Sequence, residues 1–293
     1  MTGLFVHIGI MLLILAVLLA GQQILFFDCG LLCLGTAAFY CIGAYVSTIL
    51  CVSFDMPVSI AIICAAGVSI AIALLVGYPL LKYLHGDYFA LATLAFNQTV
   101  YVLIRSLAPG GVSGIGGIPP FVPRDWGSIG SIFVHTVLMG AAFAAVVIIR
   151  RRRLGLLIRA IRLDENLAQA TGFRTTYVKL QVFTFAALLA GIAGSLQAHY
   201  IGAVSPEMSS IQTTVLLLCG VILGGRQRVS GTLLGAAVIV SVREMLQMLF
   251  SSGMGSQWQV FSITQLAYGL IIVSVSLIFF RRSKASALVR ERW

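Results

Sequence analysis

Carboxylates, imidazoles and thiols are the side chains that most often act as acids, bases, nucleophiles or metal ligands. This chain of 293 residues holds nine Asp and Glu, four His and six Cys. Their spacing does not assemble a reaction centre. His7, His85, His135 and His199 fall in four different segments. Cys29 and Cys33 stand four apart, but no His or second Cys pair completes a metal set. With Cys41, Cys51, Cys64 and Cys219 they sit in apolar runs and read as small buried apolar side chains. No G-x-x-x-x-G-K-[ST] loop is present to cradle phosphates, no H-E-x-x-H, and no Ser/His/Asp arrangement. The sequence therefore predicts no catalytic residue, no metal and no cofactor, and any ATP used must be hydrolysed by another chain. An Asn-x-Thr triplet at Asn97 lies inside a predicted helix and does not read as a glycosylation site.

The polar groups that could bind rather than react lie in long apolar segments. Hydrophobic residues make up 59% of the chain and charged ones 10%, and the mean hydropathy is +1.03. Soluble domains carry about 25% charged residues, and this excess of apolar surface has no water-soluble core to hide in. The formal charge of +10 is clustered. Arg150, Arg151, Arg152, Arg153, Arg159 and Arg162 form one block; Arg281, Arg282, Lys284, Arg290 and Arg292 form another. Clusters between apolar runs mark cytoplasmic loops under the positive-inside rule, not a nucleic-acid stripe. The fold class is all-α, a polytopic transmembrane helical bundle of eight to ten membrane segments, some short or broken. The chain reads as one transmembrane domain, 1–293, with a cytoplasmic loop at 150–178 and a basic cytoplasmic tail at 281–293.

Runs long enough to cross about 30 Å of hydrocarbon occur at 4–20, 29–50, 58–81, 88–106, 131–149, 180–201, 211–224, 230–248 and 259–280. The first lacks a basic leader and is succeeded by further apolar runs, so it reads as a span, not a signal peptide. Segment 107–130 falls on the side opposite the arginine block. Segment 211–224 is short, and two spans joined by a cytoplasmic turn at Arg226–Arg228 keep those arginines out of the lipid. Asp28, Arg243 and Glu244 read as boundary residues. Residues 22–50 admit one crossing or a broken helix, which leaves the side of the N-terminus open.

Three stretches present candidate binding or docking groups. Phe89, Thr93 and Asn97 are spaced by four and share a helix face; with Tyr88 they are candidates for lining a translocation path, or for bonding a neighbouring helix. Gly110, Gly111, Gly114, Gly116, Gly117, Pro119 and Pro120 predict an irregular external segment, either a gate and docking edge or a flexible loop. Between Arg150 and Lys179 the spacing of Leu156, Leu157, Ala160, Ile161, Leu167 and Ala168 predicts a short amphipathic helix stopped at Gly172. Amphipathicity alone fits both a helix lying on anionic lipid and one docking a cytoplasmic partner.

Glu165, Ala168 and Gly172 stand in the order E-x-x-A-x-x-x-G, similar to the EAA-type loop of ABC importer permeases, with Asn166 where the family has Ala. Gly86-Asp-Tyr-Phe-Ala-Leu-Ala-Thr-Leu-Ala-Phe96, Pro109-Gly-Gly-Val-Ser-Gly-Ile-Gly-Gly-Ile-Pro119 and Leu34-Gly-Thr-Ala-Ala-Phe-Tyr-Cys-Ile-Gly-Ala-Tyr45 resemble, in order and spacing, the branched-chain amino acid permease family of the LivM type. Gly191-Ile-Ala-Gly194, Ser205-Pro206 and Gly224-Gly225 extend the resemblance. Pro109 replaces the family's Thr before the paired glycines, so that position carries no role over. The resemblance implies a permease subunit with no enzymatic activity in the bacterial inner membrane. It implies as partners a second homologous permease, two cytoplasmic ABC ATPases and a periplasmic binding protein, besides the lipid bilayer and without nucleic acid. It implies a coupling loop containing Arg159, Arg162, Glu165, Ala168 and Gly172. Branched-chain or other small amino acids are the implied cargo, with urea or short amides as the alternative. A secondary transporter or channel is the rival of another class, and it would need an intramembrane carboxylate or an unwound helix for ion coupling.

Overall fold

The computed structural model describes residues 2–84, 86–107, 114–121, 127–225, 229–251 and 269. The expected span 259–280, apart from residue 269, and the basic tail lie outside them, as do His85, Gly110, Gly111, Arg226 and Arg228. By contacts the chain divides into two compact units, Met1–Ala237 and Val238–Trp293. The described part of the second is chiefly the end of one helix; the packing of the bundle lies in the first.

Ten α-helices are described: α1 Thr2–Gln23, α2 Thr36–Phe54, α3 Val58–Tyr83, α4 Asp87–Leu107, α5 Gly127–Arg151, α6 Arg153–Leu163, α7 Glu165–Ala170, α8 Thr175–Ile201, α9 Ile211–Gly224 and α10 Val229–Ser251. A π turn, Ile24–Asp28, prolongs α1. Two short strands, β1 Ile115–Gly116 and β2 Ala203–Val204, pair antiparallel. Among the described residues, four helices are long and apolar enough to cross a membrane: Val6–Asp28, Thr36–Phe54, Val58–Tyr83 and Thr175–Ile201. Helix α4 is of spanning length, 21 residues, but less apolar; α5 is 25 residues long and about as apolar overall as α8. The protein is a polytopic helical membrane protein.

Helix α8 is the central post, packed on α1, α2 and α3. Its contacts orient the others. Gly43 of α2 lies on Gly191, and Cys51 reaches His199, so α2 runs parallel to α8. Ser69 of α3 lies on Gly191 and Gly77 on Phe183, so α3 runs antiparallel. Close approach sets the α2–α8 seam: a methyl group at Gly194 would collide with the carbonyl oxygen of Tyr40, and one at Gly43 with that of Gly191. Without a hydrophobic force to join helices in lipid, such backbone contact supplies the packing energy. A cluster of Phe39, Phe89, Phe96 and Phe183 fills the space beside it.

Helix α1 starts beside the far end of α8, where His7 Nδ1 lies 3.1 Å from Tyr200 OH, and ends beside the arginine block, where Asp28 pairs with Arg150 at 2.7 Å. Taken with the positive-inside rule, the N-terminal end of α1 lies on the side opposite the arginines. Residues 22–50 thus hold the end of the first helix at Asp28, a non-helical segment at 29–35, and a second helix that begins only at Thr36. The expected span 29–50 is thus corrected to Thr36–Phe54. A main chain without helix inside a membrane is tolerated only where protein satisfies its polar groups. Here Leu34 N donates to Thr93 Oγ1 (3.0 Å), Gln22 Nε2 to Cys33 O (3.4 Å), and Leu31 N to Leu25 O (2.9 Å).

A second interruption comes after α8. Beyond β2 the chain passes a 3-10 turn, Pro206–Ser209, and α9 starts at Ile211 with Ser210 as its cap, the hydroxyl accepting from Thr213 N at 3.3 Å. Ser209 lies against Asn97, about 15 Å along α4 at 1.5 Å per residue. Helix α9 then runs to Gly225, which Gln23 of α1 meets at the arginine-rich end. The expectation of a complete span at 211–224 is therefore corrected: its 14 residues reach about 21 Å, short of the roughly 30 Å of hydrocarbon, because the preceding residues have already brought the chain back alongside Asn97. Gly220 and Gly224 pack on Gly235 and Gly231 of α10, making a tight helical hairpin.

Candidate functional site

The two interruptions converge on α4. Phe89, Thr93 and Asn97 are all buried on one face of it, as their spacing predicts. Thr93 Oγ1 accepts from Leu34 N and donates to Ala90 O at 2.9 Å. Asn97 is more fully committed. Its Nδ2 donates to Ser209 O (3.1 Å) and Thr214 Oγ1 (3.0 Å), and its Oδ1 accepts from Ser209 Oγ at 2.9 Å. One amide thus ties α4 to the 3-10 turn and to the first turn of α9. Tyr88 lies off this stripe and is exposed. The structure brings Phe89, Thr93 and Asn97 together, and separates Tyr88 from them. Cys33, Ser209, Ser210 and Thr214 join the seam. Sequence reasoning missed them; the signal was Ser205-Pro206 and Ser209-Ser210 inside an otherwise apolar stretch.

At the arginine-rich end the expected single amphipathic helix is two, a correction with a local cause. The Asp164 side chain accepts from Leu167 N at 3.0 Å, so Asp164 ends α6 and caps α7. The stop at Gly172 stands as expected. Gly172 has φ +89°, Phe173 N donates to Ala168 O (3.2 Å) and Gly172 N to Gln169 O (2.9 Å). These two bonds form the Schellman arrangement that closes a helix C-terminus. Gly155, Ile158, Ile161 and Ala168 face inward, while Leu156, Leu163, Leu167 and Phe173 face outward. The pair is fixed to the bundle at both ends. Glu165 pairs with Lys179 of α8 at 2.5 Å, and Gln169 Nε2 donates to Thr175 Oγ1 at 3.0 Å. Arg162 donates to Phe27 O, and Arg159 stands 3.8 Å from Asp28. Asp28, expected to be an ordinary boundary residue, is thus drawn into this site. Arg159, Arg162, Glu165 and Gly172 lie on the accessible side of this helix pair, and Ala168 on its buried side.

At the other end, Ile118 N donates to Gly202 O (3.3 Å) and His199 Nδ1 lies 2.8 Å from Pro119 O. With the β1–β2 pair these contacts bind the irregular segment to the top of α8. Gly114 and Pro119 are thereby both placed on α8's end. Gly114 has φ +79°, and any side chain there would strike Val204 O. Among the described residues no cluster of three or more His, Cys, Asp or Glu could hold a metal ion.

Apolar spans around a central post, two interrupted helices and a basic, apolar-faced helix pair at one end define a polytopic helical membrane protein. The model of the branched-chain amino acid transport system permease component matches residues 4–280, and the chain belongs to that family. It is 31% identical over 270 residues to the high-affinity branched-chain amino acid transport permease LivM of Salmonella typhimurium, covering 83% of this chain and 63% of the relative. The Escherichia coli LivM is 29% identical over the same shares. The chain therefore spans a little under two thirds of the length of these relatives. A fructose import permease, FrcC of Rhizobium meliloti, is 23% identical over 75% of this chain and 62% of its own length. The Bacillus subtilis ribose import permease RbsC is 27% identical over 59% of this chain and 53% of its own length. No solved structure matches.

Proposed function

We propose that the chain is the membrane-spanning permease subunit of an ABC importer in the bacterial inner membrane, translocating branched-chain or other small amino acids. A periplasmic binding protein delivers the solute, two separate cytoplasmic ATPases supply the energy, and a second, homologous permease completes the pathway. The observation that carries this reading is the α6–α7 pair. It is anchored inward by Ile158, Ile161 and Ala168, and it offers Leu163, Leu167 and Phe173 outward beside arginines. Large apolar side chains held outward on a rigid, capped element suit insertion into a groove of a partner protein. The pair serves as the ATPase contact, the ribbon at 115–118 and 203–204 as the edge facing the binding protein, and the seam around Asn97 as the hinge between them. Phe89, Thr93 and Asn97 hold the path's shape; the glycines of the external segment, Gly110, Gly111 and Gly114, with Pro119, form its outer edge.

Ala168→Asp places a carboxylate in the inward face of α7, and Gly172→Asp places a side chain at a positive φ. In the assembled transporter each abolishes leucine uptake while the chain still inserts in the membrane. Normal uptake by both variants sinks the docking role. A second cargo class has a specific basis: relatives named for ribose and fructose import also match. The longer and more identical match to amino-acid permeases favours leucine-like cargo. Competition of labelled leucine and ribose uptake, in vesicles carrying the complete system, separates the two.

A further inference from the structure

Asp28 is, among the described residues, the only carboxylate ion-paired with an arginine. Its side chain is mostly buried, and it sits at the last position of a π turn, a local departure from regular helix that is uncommon and recurs at functional positions. It joins Arg150, the end of α5, at 2.7 Å and stands 3.8 Å from Arg159 of α6. Arg150 has a second partner: its Nη2 donates to Gln23 Oε1 at 3.0 Å. The other end of that same amide, Nε2, donates to Gly225 O at 2.7 Å, the residue that closes α9. From there α9 leads to Thr214, which bonds Asn97. A continuous chain of polar contacts thus runs from the α6–α7 pair to the mid-depth seam.

We propose that Asp28 is a positioning residue of the coupling machinery: with Arg150 and Gln23 it latches the cytoplasmic helix pair to the end of the half-helix α9. This rests on the permease reading above and adds to it how motion reaches the membrane interior. Helix α9 is suited to be the moving part. It is short, its start is held by side-chain bonds to Asn97, and its end is bonded to α1 through Gln23 while its glycines pack on α10. A displacement of α6 shifts Asp28 and Arg150, and Gln23 passes it to Gly225. Removing the charge at Asp28 leaves Arg150 and Arg159 without their shared anion, and the grip on α9 loosens although the ATPase surface is intact.

The test uses the complete transporter, co-expressed with its ATPases, second permease and binding protein and reconstituted in liposomes. Labelled leucine uptake and phosphate release are measured together. Asp28→Asn and Gln23→Leu each lower leucine carried per ATP hydrolysed by about two- to thirty-fold, the range reached by substitutions along coupling networks. Asp28→Glu retains most of it. The double variant is no worse than the poorer single one, since both break one chain. Spin labels at Val102 of α4 and Val215 of α9, in a cysteine-free background, report a nucleotide-dependent distance change that Asp28→Asn abolishes. Unchanged leucine per ATP in both single variants overturns the latch. So does failure of Asp28→Asn to insert or to retain the ATPases, which would make Asp28 a folding prop. A complex that carries no leucine at all, yet shows a distance change lost in Asp28→Asn, refutes the amino-acid cargo and leaves the latch standing.

Discussion

Asn97 concentrates more polar contact than any other side chain of the seam. Three hydrogen bonds converge on it, from or to Ser209 and Thr214. All of these groups are buried. Asn97→Ala leaves a carbonyl and two hydroxyls to find other partners, at a cost of about 1–3 kcal/mol. It lowers the unfolding temperature of the purified protein in detergent, whereas Gln98→Ala, one position round the helix, changes it little. The contrast is a thermal-shift measurement on two neighbouring positions. Spacing alone placed Phe89, Thr93 and Asn97 on one face, because a period of four in a helix is a geometric fact. Their partners were not legible: Ser209 lies more than a hundred residues away, and nothing in apolar flanking sequence says that the chain returns to mid-depth there. Asp28 was likewise hidden. A lone carboxylate beside an apolar run looks like any membrane boundary until the folded chain brings Arg150 and Arg159 to it.

At the level of elements, hydropathy located the apolar spans well and their interruptions poorly. Residues 29–35 read Cys-Gly-Leu-Leu-Cys-Leu-Gly, as greasy as the helix after them, so composition cannot reveal that they are non-helical. The break depends on polar groups supplied from elsewhere, Thr93 and Gln22. The α6–α7 pair shows the reverse. Its stop at Gly172 was visible, since few residues other than glycine suit that backbone, while its division at Asp164 was not anticipated, although Asp preceding Glu165-Asn-Leu is a helix-start signal. The α2–α8 seam makes its own prediction. Gly194→Val drives a side chain into the backbone of Tyr40 and pushes two principal helices apart. Overpacking of this kind costs about 1–3 kcal/mol or more. Gly67→Ala, in α3 where a methyl group meets nothing within 4 Å, is the matched control. Loss of folded protein on size-exclusion chromatography for the first and not the second is the expected outcome.

For the whole molecule, the order of elements fixes which surfaces face which side. Asp55, between α2 and α3, lies at the end where Cys51 meets His199; Leu163, at the end of α6, lies with the arginines. Single cysteines at these positions label from opposite sides in intact spheroplasts, Asp55→Cys from outside and Leu163→Cys only after permeabilisation. Labelling of both from one side refutes the topology. That arrangement gives α8 an unusual place. It begins at Thr175, bonded to Gln169 of the arginine-rich pair, and ends at Ile201, next to the ribbon that fastens the external segment. Its 27 residues amount to about 40 Å of unbroken helix. A rod of that stiffness transmits thrust along its axis in either direction. A push on the ribbon at one end of α8 is therefore carried along its axis to Thr175 and the Gln169 contact at the other.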